Sequence, residues 1–432
     1  MEENKYKILE GSMLDILPTL EENSFDSCIT DPPYELNFMG KGWDRSGIAF
    51  RKETWQEVYR VLKPGAYLCA FGGSRTFHRI ACAIEDAGFE IRDTIMWLYG
   101  SGFPKSHNVG LDIDKRFGCE NRGHRIATAN RYHPDGTLEP NGENLPPYEG
   151  KTEEGKKWNG YGTCLKPAYE PIIVARKPIE KSVAENVLKY GCGAINIDEC
   201  RVVNEIIKGG TTPDIKDVAK KQKEISGVGC LSFGQVENAE RIELKDHEGR
   251  FPSNVILTYD ETDYDEVCGG MPKNDNGDSS SRYFYCAKAS KKDRDEGLDM
   301  FEEKQTTDGC IRANSETARK FGANFSLRKN IHPTVKPIDL MQYLVRMFTP
   351  KGGAILEPFA GSGSTGKATM FENRERNANY TITMIEITHE YIPIIKARCD
   401  YAINKYKYDD EKELRERKEK GELNIFDFDY GE

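Results

Sequence analysis

A chain of 432 residues, 38% hydrophobic and 31% charged, has room for one large domain with a sizeable insertion or for two domains of ordinary size. No apolar run approaches the ~20 residues of a membrane span, and Met1 to Lys5 lacks the basic start and apolar stretch of a secretory leader, so a cytoplasmic location is expected. The net charge of -10 weighs against a nucleic-acid partner only until its distribution is read, because neutralising phosphates needs clustered Lys and Arg rather than a positive total.

Tyr6 to Leu9 predicts a short strand, Leu14 to Leu20 a helix, and Ser27-Cys28-Ile29-Thr30 a buried strand. Asp31-Pro32-Pro33-Tyr34 ends that strand, since prolines cannot continue one inside a sheet. Thr54 to Leu62 sets Trp55, Val58, Tyr59 and Leu62 on one helical face, Lys63-Pro64-Gly65 stops it, and Ala66 to Phe71 is the next strand. A helix from Thr76 to Ala87, a stop at Gly88 and a strand from Asp93 to Tyr99 complete the βα repeat of a mostly parallel sheet with helices on both faces. The pattern then weakens, and about 101–165 reads as a loop insertion rich in Gly, Pro, Asn and charge. Pro171 to Ala175 is a further strand, and 179–330 is an irregular, separate insertion. Alternation resumes after His332 with a helix (Leu340 to Phe348), a strand (Ala354 to Glu357), a helix (Thr365 to Glu372), a strand (Tyr380 to Ile385) and a long helix from His389. One sheet is therefore expected from 1–178 and 331–408, followed by a charged tail over 409–432.

Two stretches carry chemistry. Ala354 to Gly366 is a strand running into a glycine turn that opens a helix, where the backbone can approach a ligand closely and the helix N-terminus favours a carboxylate or phosphate. Gly361, Gly366 and Lys367 also fit a phosphate loop, although Ala368 stands where a hydroxyl should hold magnesium, so an NTPase is a competing class and a purely structural turn a third reading. Glu386, ending the next strand, lies where such folds grip ribose hydroxyls; together they favour an adenosyl or dinucleotide ligand over a triphosphate. Asp31-Pro32-Pro33-Tyr34 supplies the second element. An exocyclic amine can attack a methyl donor only with its lone pair turned out of conjugation, which requires acceptors for both N–H bonds. The Asp31 carboxylate and the Pro32 carbonyl provide them, Pro33 stiffens the turn, and Tyr34 offers a ring for a base to stack on.

With these motifs the chain resembles the β-class amino-methyltransferases of DNA, whose permuted order puts the catalytic tetrapeptide upstream of the cofactor loop. The resemblance rests on Asp31-Pro32-Pro33-Tyr34, His332-Pro333-Thr334-Val335-Lys336-Pro337 and Phe359-Ala360-Gly361-Ser362-Gly363, and covers roughly 1–100 and 165–400. Segments Leu165 to Pro171 and Tyr285 to Ser290 are similar to those of phage and bacterial modification methylases. It implies an α/β fold: a doubly wound, mostly parallel seven-stranded methyltransferase sheet with one antiparallel strand, binding S-adenosyl-L-methionine at the strands' carboxyl ends. Phe359, Gly361 and Gly363 would line the methionine side with Ala360 and Thr365 in the same turn, Glu386 would meet the ribose, and Thr334 and Lys336 would close over the cofactor near its carboxylate. The family often has an acid after the first strand's glycine. Here Gly11 is followed by Ser12, which leaves the adenine contact open between Ser12, Asp15 and backbone.

The resemblance also implies double-stranded DNA as partner, extrusion of the target base, and target recognition by 179–330. There Arg282, Lys288, Lys291, Lys292 and Arg294 form a basic stretch with interleaved aromatics, and Gly249 to Asn254 is a second candidate contact. A homodimer and a cognate restriction endonuclease are compatible with it. The aspartate-led tetrapeptide favours N6 of adenine, with N4 of cytosine as the alternative and a non-catalytic DNA-binding relic as the different-class reading. Twelve cysteines without close pairs predict free thiols and no metal site, and none stands in the Pro-Cys setting that attack on a ring carbon requires.

Overall fold

The computed structural model describes residues 5–36, 42–99, 106–119, 131–132, 138–139, 148–207, 211–213, 241–243, 247–258, 284–286, 289–307 and 325–404. The charged tail, Arg282 and Lys288 lie outside them.

Phe25–Thr30 (β2) is buried at all six positions, as a strand covered by helices on both faces must be. Its sheet also contains β1 (Tyr6–Glu10), β3 (Leu62–Phe71), β4 (Glu90–Tyr99), β5 (Tyr169–Arg176), β6 (Val255–Thr258), β7 (Phe284–Tyr285), β8 (Ala354–Glu357) and β9 (Thr381–Glu386), in the order β1-β9-β8-β2-β3-β5-β4-β6-β7. From β1 to β3 every pairing is parallel, and β5 runs antiparallel to both β3 and β4. The first seven are the expected methyltransferase sheet with its single antiparallel strand. Two short strands from the expected insertion, β6 and β7, pair in parallel and extend it.

Strand β3 begins four residues before the predicted Ala66. Leu62 already pairs with Phe25, and Lys63-Pro64-Gly65 is absorbed as an irregularity before Tyr67 meets Ser27. Gly65 has φ +83°, and a Cβ there would fall 2.2 Å from Asn186 Nδ2, so only glycine serves.

Helices α1 (Met13–Ile16), α2 (Lys52–Val61) and α3 (Phe77–Asp86) follow the first strands. Trp55 of α2 is fully buried and its indole N–H donates to the Ala49 carbonyl at 2.9 Å, so a large apolar body is sunk without an unpaired donor. No helix among the described residues is long and apolar enough to cross a membrane.

Residues Tyr99–Ala168 form a separate compact unit. Where a loop is expected, α4 (Val109–Arg116) and α5 (Glu153–Lys157) form because Asn108 and Thr152 accept from Leu111 N and Gly155 N at their N-termini. Asp114 organises this unit. It accepts from Tyr148 OH, Lys151 N, Thr152 N and Thr152 Oγ1 at 2.5–3.0 Å, and these donors hold its carboxyl well below the usual range against the opposing effect of burial.

The later helices of the sheet unit are α6 (Val183–Tyr190), α7 (Lys291–Asp295), α8 (Ile338–Phe348), α9 (Ser364–Arg376) and α10 (392–404). Helices α8 and α9 are joined by a buried pair, Arg346 Nη2 to Glu372 Oε1 at 2.5 Å. Strand β8 lies between β2 and β9, with Leu356 beside Cys28 and Glu357 beside Met384. That register sets the carboxyl end of β2, from the first part of the chain, next to the carboxyl ends of β8 and β9 from the last. In open α/β sheets such a crevice is where ligands bind.

Candidate functional site

The glycine turn leaves β8 at Glu357 and enters α9 through Gly363, which caps the helix at φ +74°. Gly361 is also left-handed, and its absent Cβ would lie 2.8 Å from His332 Nε2. The turn is held from three sides. Ala360 N donates to Ile385 O at 2.9 Å, and Gly361 N donates to Glu386 Oε2 at 2.7 Å, while Thr388 N donates to Glu386 Oε1 at 2.8 Å. Burial pushes the Glu386 carboxyl up, and the Thr388 and Gly361 amides work in the opposite direction. From α10, the fully buried Arg398 donates through Nη1 to Ser362 O at 2.7 Å and to the Ser362 and Ser364 hydroxyls at 3.0 and 3.3 Å. No local motif marks Arg398.

Ser12 caps α1, accepting from Leu14 N at 3.3 Å, and the adjacent Gly11 N donates to Glu386 O at 2.9 Å, so Ser12 borders the Glu386 side of the crevice. Phe359 is half-buried, Thr334 exposed, and Thr365 buried with its hydroxyl donated to Glu357 Oε2 at 2.5 Å. His332 shares its Nδ1 hydrogen with Thr334 O at 2.8 Å and packs edge-on to Tyr391. Burial, then the neighbouring cations Lys336, Arg398 and Arg294, lower its pKa to about 3, so the ring is neutral beside Gly361.

The phosphate-loop reading meets an obstacle in Lys367. Its ammonium is fully buried against Glu296 at 2.8 Å and lies over the Phe371 and Tyr401 rings, on the packing side of α9. Gly366 is explained by the same packing, since a Cβ there would meet Met384 Sδ at 2.4 Å.

The second half of the site begins where β2 ends. Asp31 Oδ2 accepts from Lys336 Nζ at 2.6 Å, and Lys336 Nζ also lies 3.5 Å from Glu170 Oε2. Tyr34 OH donates to that same Glu170 oxygen at 2.9 Å, and Thr76 Oγ1 donates to Tyr34 O at 2.8 Å. The ammonium lies 5.3 Å from the Tyr34 ring centre and 5.0 Å from that of Phe71. Burial pushes Asp31 up, with Lys336 opposing; burial would lower Lys336, but Asp31 and Glu170 outweigh it and hold the ammonium above its ordinary value. Burial and the two carboxylates raise Tyr34 well above the usual phenol range. Asp31 Oδ1 is buried with no hydrogen-bond partner among the described residues.

Glu357 connects the halves. It is buried, accepts from Thr30 Oγ1 at 2.6 Å as well as from Thr365, and is pushed up to about 8, first of all by burial. Segment His332–Pro337 connects them a second time, with His332 against Gly361 and Lys336 on Asp31. Lys336, expected near a cofactor carboxylate, thus has its ammonium on the tetrapeptide. Sequence reasoning assigned no role to Glu170, Glu357, His332 or Arg398. A signal existed for the first three, which lie inside the quoted motif segments.

Of the basic stretch, Lys291 is exposed, 3.8 Å from Glu303, and Lys292 follows it on α7. Arg294 turns inward, its Nη2 donating to the His332 and Pro333 carbonyls at 3.1 and 3.4 Å. In the Gly249 to Asn254 stretch, Phe251 is 65% exposed, whereas Asn254 donates to Asp93 Oδ1 at 3.1 Å. Among the described residues no group of three His, Cys, Asp or Glu side chains is placed to hold a metal.

A glycine turn gripped by a strand-end acid thus stands beside a carboxylate-led proline turn at the carboxyl ends of the strands, where open α/β sheets place their ligands. The family model for N6/N4 methyltransferases, described as DNA methylase, matches residues 25–397, and the chain belongs to that family. S-adenosyl-L-methionine is the cofactor that goes with this membership. The type II methyltransferase M.HindIII of Haemophilus influenzae is 24% identical over 148 residues, covering 33% of this chain and 37% of that protein. M.HpaI of Haemophilus parainfluenzae is 33% identical over 109 residues, covering 23% and 34%. The chain therefore spans about a third of the length of these curated relatives. Among solved structures, the cytosine-N4-specific PvuII DNA methyltransferase is 13% identical with a TM-score of 0.37, covering 91% of this chain and 88% of that one. The M1.HpyAVI–SAM complex is 14% identical with a TM-score of 0.35, covering 91% and 99%. Both likenesses are too remote to carry chemistry.

Proposed function

We propose that this protein transfers a methyl group from S-adenosyl-L-methionine to the N6 amine of adenine in double-stranded DNA, after the base is turned out of the helix. One observation carries the reading: Asp31 has one oxygen fixed by Lys336 and the other, Oδ1, buried and free to accept an amine N–H beside the glycine turn. A lone buried acceptor in a cleft is costly unless a donor arrives to use it.

The residues present fit the cofactor. Gly361 and Gly363 take left-handed backbone, φ +55° and +74°, that lets the turn pack tightly on His332 and Ile395 and present its backbone at the carboxyl end of the sheet, and Glu386 faces the turn as an acceptor for sugar hydroxyls. Phe359, Ala360, Gly361 and Gly363 would hold its methionine side, Glu386 its ribose, and Ser12 or nearby backbone its adenine. Thr334 borders the same turn through His332, and Thr365 supports it from beneath through Glu357. Bound there, the cofactor supplies a methyl group on a positively charged sulfur.

The chain's own work is to prepare the attacking nitrogen. Asp31 Oδ1 and the Pro32 carbonyl take the two N–H bonds of the amine, which turns the lone pair out of the ring system. The Pro32-Pro33 turn keeps both acceptors rigid, and Tyr34 stacks on the base. Lys336 keeps Asp31 ionised, hence an acceptor rather than a donor. Lys291 and Lys292, with Arg282 and Lys288, are the proposed phosphate contacts, whereas Arg294 serves the His332–Pro337 segment through the carbonyls it holds.

The test is to incubate the protein with unmethylated genomic DNA and labelled cofactor, digest to nucleosides and identify the modified base. N6-methyladenine is expected. N4-methylcytosine would move the same chemistry to the other base, and absence of both, with cofactor binding demonstrated, would sink the proposal.

A further inference from the structure

Glu170 is not part of the tetrapeptide, the glycine turn or the cofactor grip, yet the second half of the site converges on its carboxylate. Strand β5 sets it opposite Trp97 of β4, one residue before Pro171. From there Oε2 accepts the Tyr34 hydroxyl at 2.9 Å and lies 3.5 Å from Lys336 Nζ. Lys336 is 9% exposed at its side chain, so its charge is weakly screened, and its shorter contact is Asp31 at 2.6 Å. One ammonium is thereby shared by two carboxylates, so the ionised cluster has one negative charge in excess.

That surplus matters for the proposed transfer, on which this inference rests. The amine nitrogen becomes positive as its bond to the methyl carbon forms and the carbon–sulfur bond breaks, and stays so until one of its two protons is lost to water; a fixed negative charge beside it stabilises that change. A second consequence is geometric. Lying 2.6 Å from Asp31 Oδ2 and 3.5 Å from Glu170 Oε2, the Lys336 ammonium is held between two carboxylates and stays on Oδ2 when an amine N–H reaches Oδ1. We propose that Glu170 is a positioning residue for methyl transfer: it fixes the Tyr34 ring through the phenol and shares Lys336 with Asp31, so that Asp31 Oδ1 stays a strong acceptor for the target amine.

Glu170→Gln separates the two roles, since glutamine still accepts from Tyr34 but no longer offsets Lys336. The charged and titratable groups facing Asp31 are Lys336 from the segment before α8, Glu170 from β5, Tyr34 from its own turn and Glu357 from β8. With Glu170 neutral, Lys336 serves Asp31 alone. The plateau kcat should fall roughly tenfold, and the acid limb of its pH profile should move to lower pH because Asp31 stays ionised further down. KM for the cofactor should hold within about threefold, since no cofactor contact is touched. Fluorescence of 2-aminopurine at the target position, which reports the turned-out base, should match the wild type. In Glu170→Ala the Tyr34 ring is released as well: kcat should drop on the order of 100-fold and the 2-aminopurine signal should diminish. Combining it with Tyr34→Phe should cost far less than the two single effects multiplied, because both break one hydrogen bond. A Glu170→Gln enzyme with wild-type kcat and an unmoved acid limb overturns the inference, as does one whose only change is a lower Tm. Should the alanine variant fail to fold, the isosteric glutamine variant decides alone. Wild-type protein that binds cofactor but methylates no DNA defeats the underlying reading instead.

Discussion

Lys336→Met removes the ammonium from Asp31 while keeping most of the side-chain volume. The ion pair it breaks is 2.6 Å long and joins groups only 20% and 9% exposed, so it belongs with buried pairs rather than surface ones. Removing one partner of a buried pair costs roughly 3–5 kcal/mol against the charge left behind, and the residual exposure of Asp31 favours the lower end. Carried over to the working form at a factor of ten per ~1.4 kcal/mol, that lower end corresponds to a loss of rate on the order of 100-fold near neutrality. The sign follows from the working form. Asp31 accepts the amine only when ionised; burial already pushes its carboxyl up and Lys336 opposes that, so without the lysine the proton is held more tightly. Methyl transfer should be nearly abolished near neutrality and should recover as the pH is raised, the acid limb moving upward, opposite to the shift expected for Glu170→Gln. Protonation relieves the orphaned charge, so the protein should still fold. The assay is tritiated-methyl incorporation into DNA at saturating cofactor from about pH 6 to 9.5. A methionine variant with the wild-type rate and the wild-type limb would refute the role given to the pair.

Asp31→Ala should abolish transfer without changing cofactor affinity or the far-ultraviolet circular dichroism; full activity in that variant would remove Asp31 from the mechanism. Glu357 holds its proton more tightly folded, at about 8, than at its ordinary 4.5, so wild-type stability is expected to decline as pH rises through that window. Glu357→Gln escapes the decline and should gain on the wild type by up to ~1.4 kcal/mol per pH unit there, and urea midpoints whose difference ignores pH would contradict this. Arg398→Met deletes the hydrogen bonds that the buried guanidinium gives to Ser362 and Ser364. Cofactor Kd measured by calorimetry should rise at least about tenfold, as befits charge-assisted hydrogen bonds, and an unchanged Kd would mean that the turn holds its shape without it.

Much of this site was legible because its backbone is unusual. Two prolines after a buried run and glycines at Gly361 and Gly363 are residues whose conformational demands show in the letters themselves. Glu386 was legible by its place at the end of a strand. Lys336 was legible as a residue but not in its direction, since the letters do not say that a side chain in the segment before α8 reaches an aspartate 305 residues earlier. Glu170 reads as any polar residue opening a strand, and its role exists only because β5 runs antiparallel beside β3. Arg398 reads as helix surface until α10 is packed beneath the turn. In 101–165, Gly and Pro content hid two short helices whose capping residues, Asn108 and Thr152, were nevertheless in view.

The register of β1 has a consequence for how such a chain comes to be folded. Among the described strands its only sheet neighbour is β9, with Tyr6 facing Ile382 and Glu10 facing Glu386, and β8 reaches back to Ser27 and Cys28. Contacts spanning more than three hundred residues make folding slow, because the loop must close before any pairing rewards it. On the ribosome, the β8-facing edge of β2 stays open until residues near 357 have emerged and β1 until residues near 386, and the crevice between the carboxyl ends of β2, β8 and β9 is completed only then. An incompletely translated chain therefore presents adhesive strand edges but no assembled crevice, a state for which chaperones have a use and DNA does not.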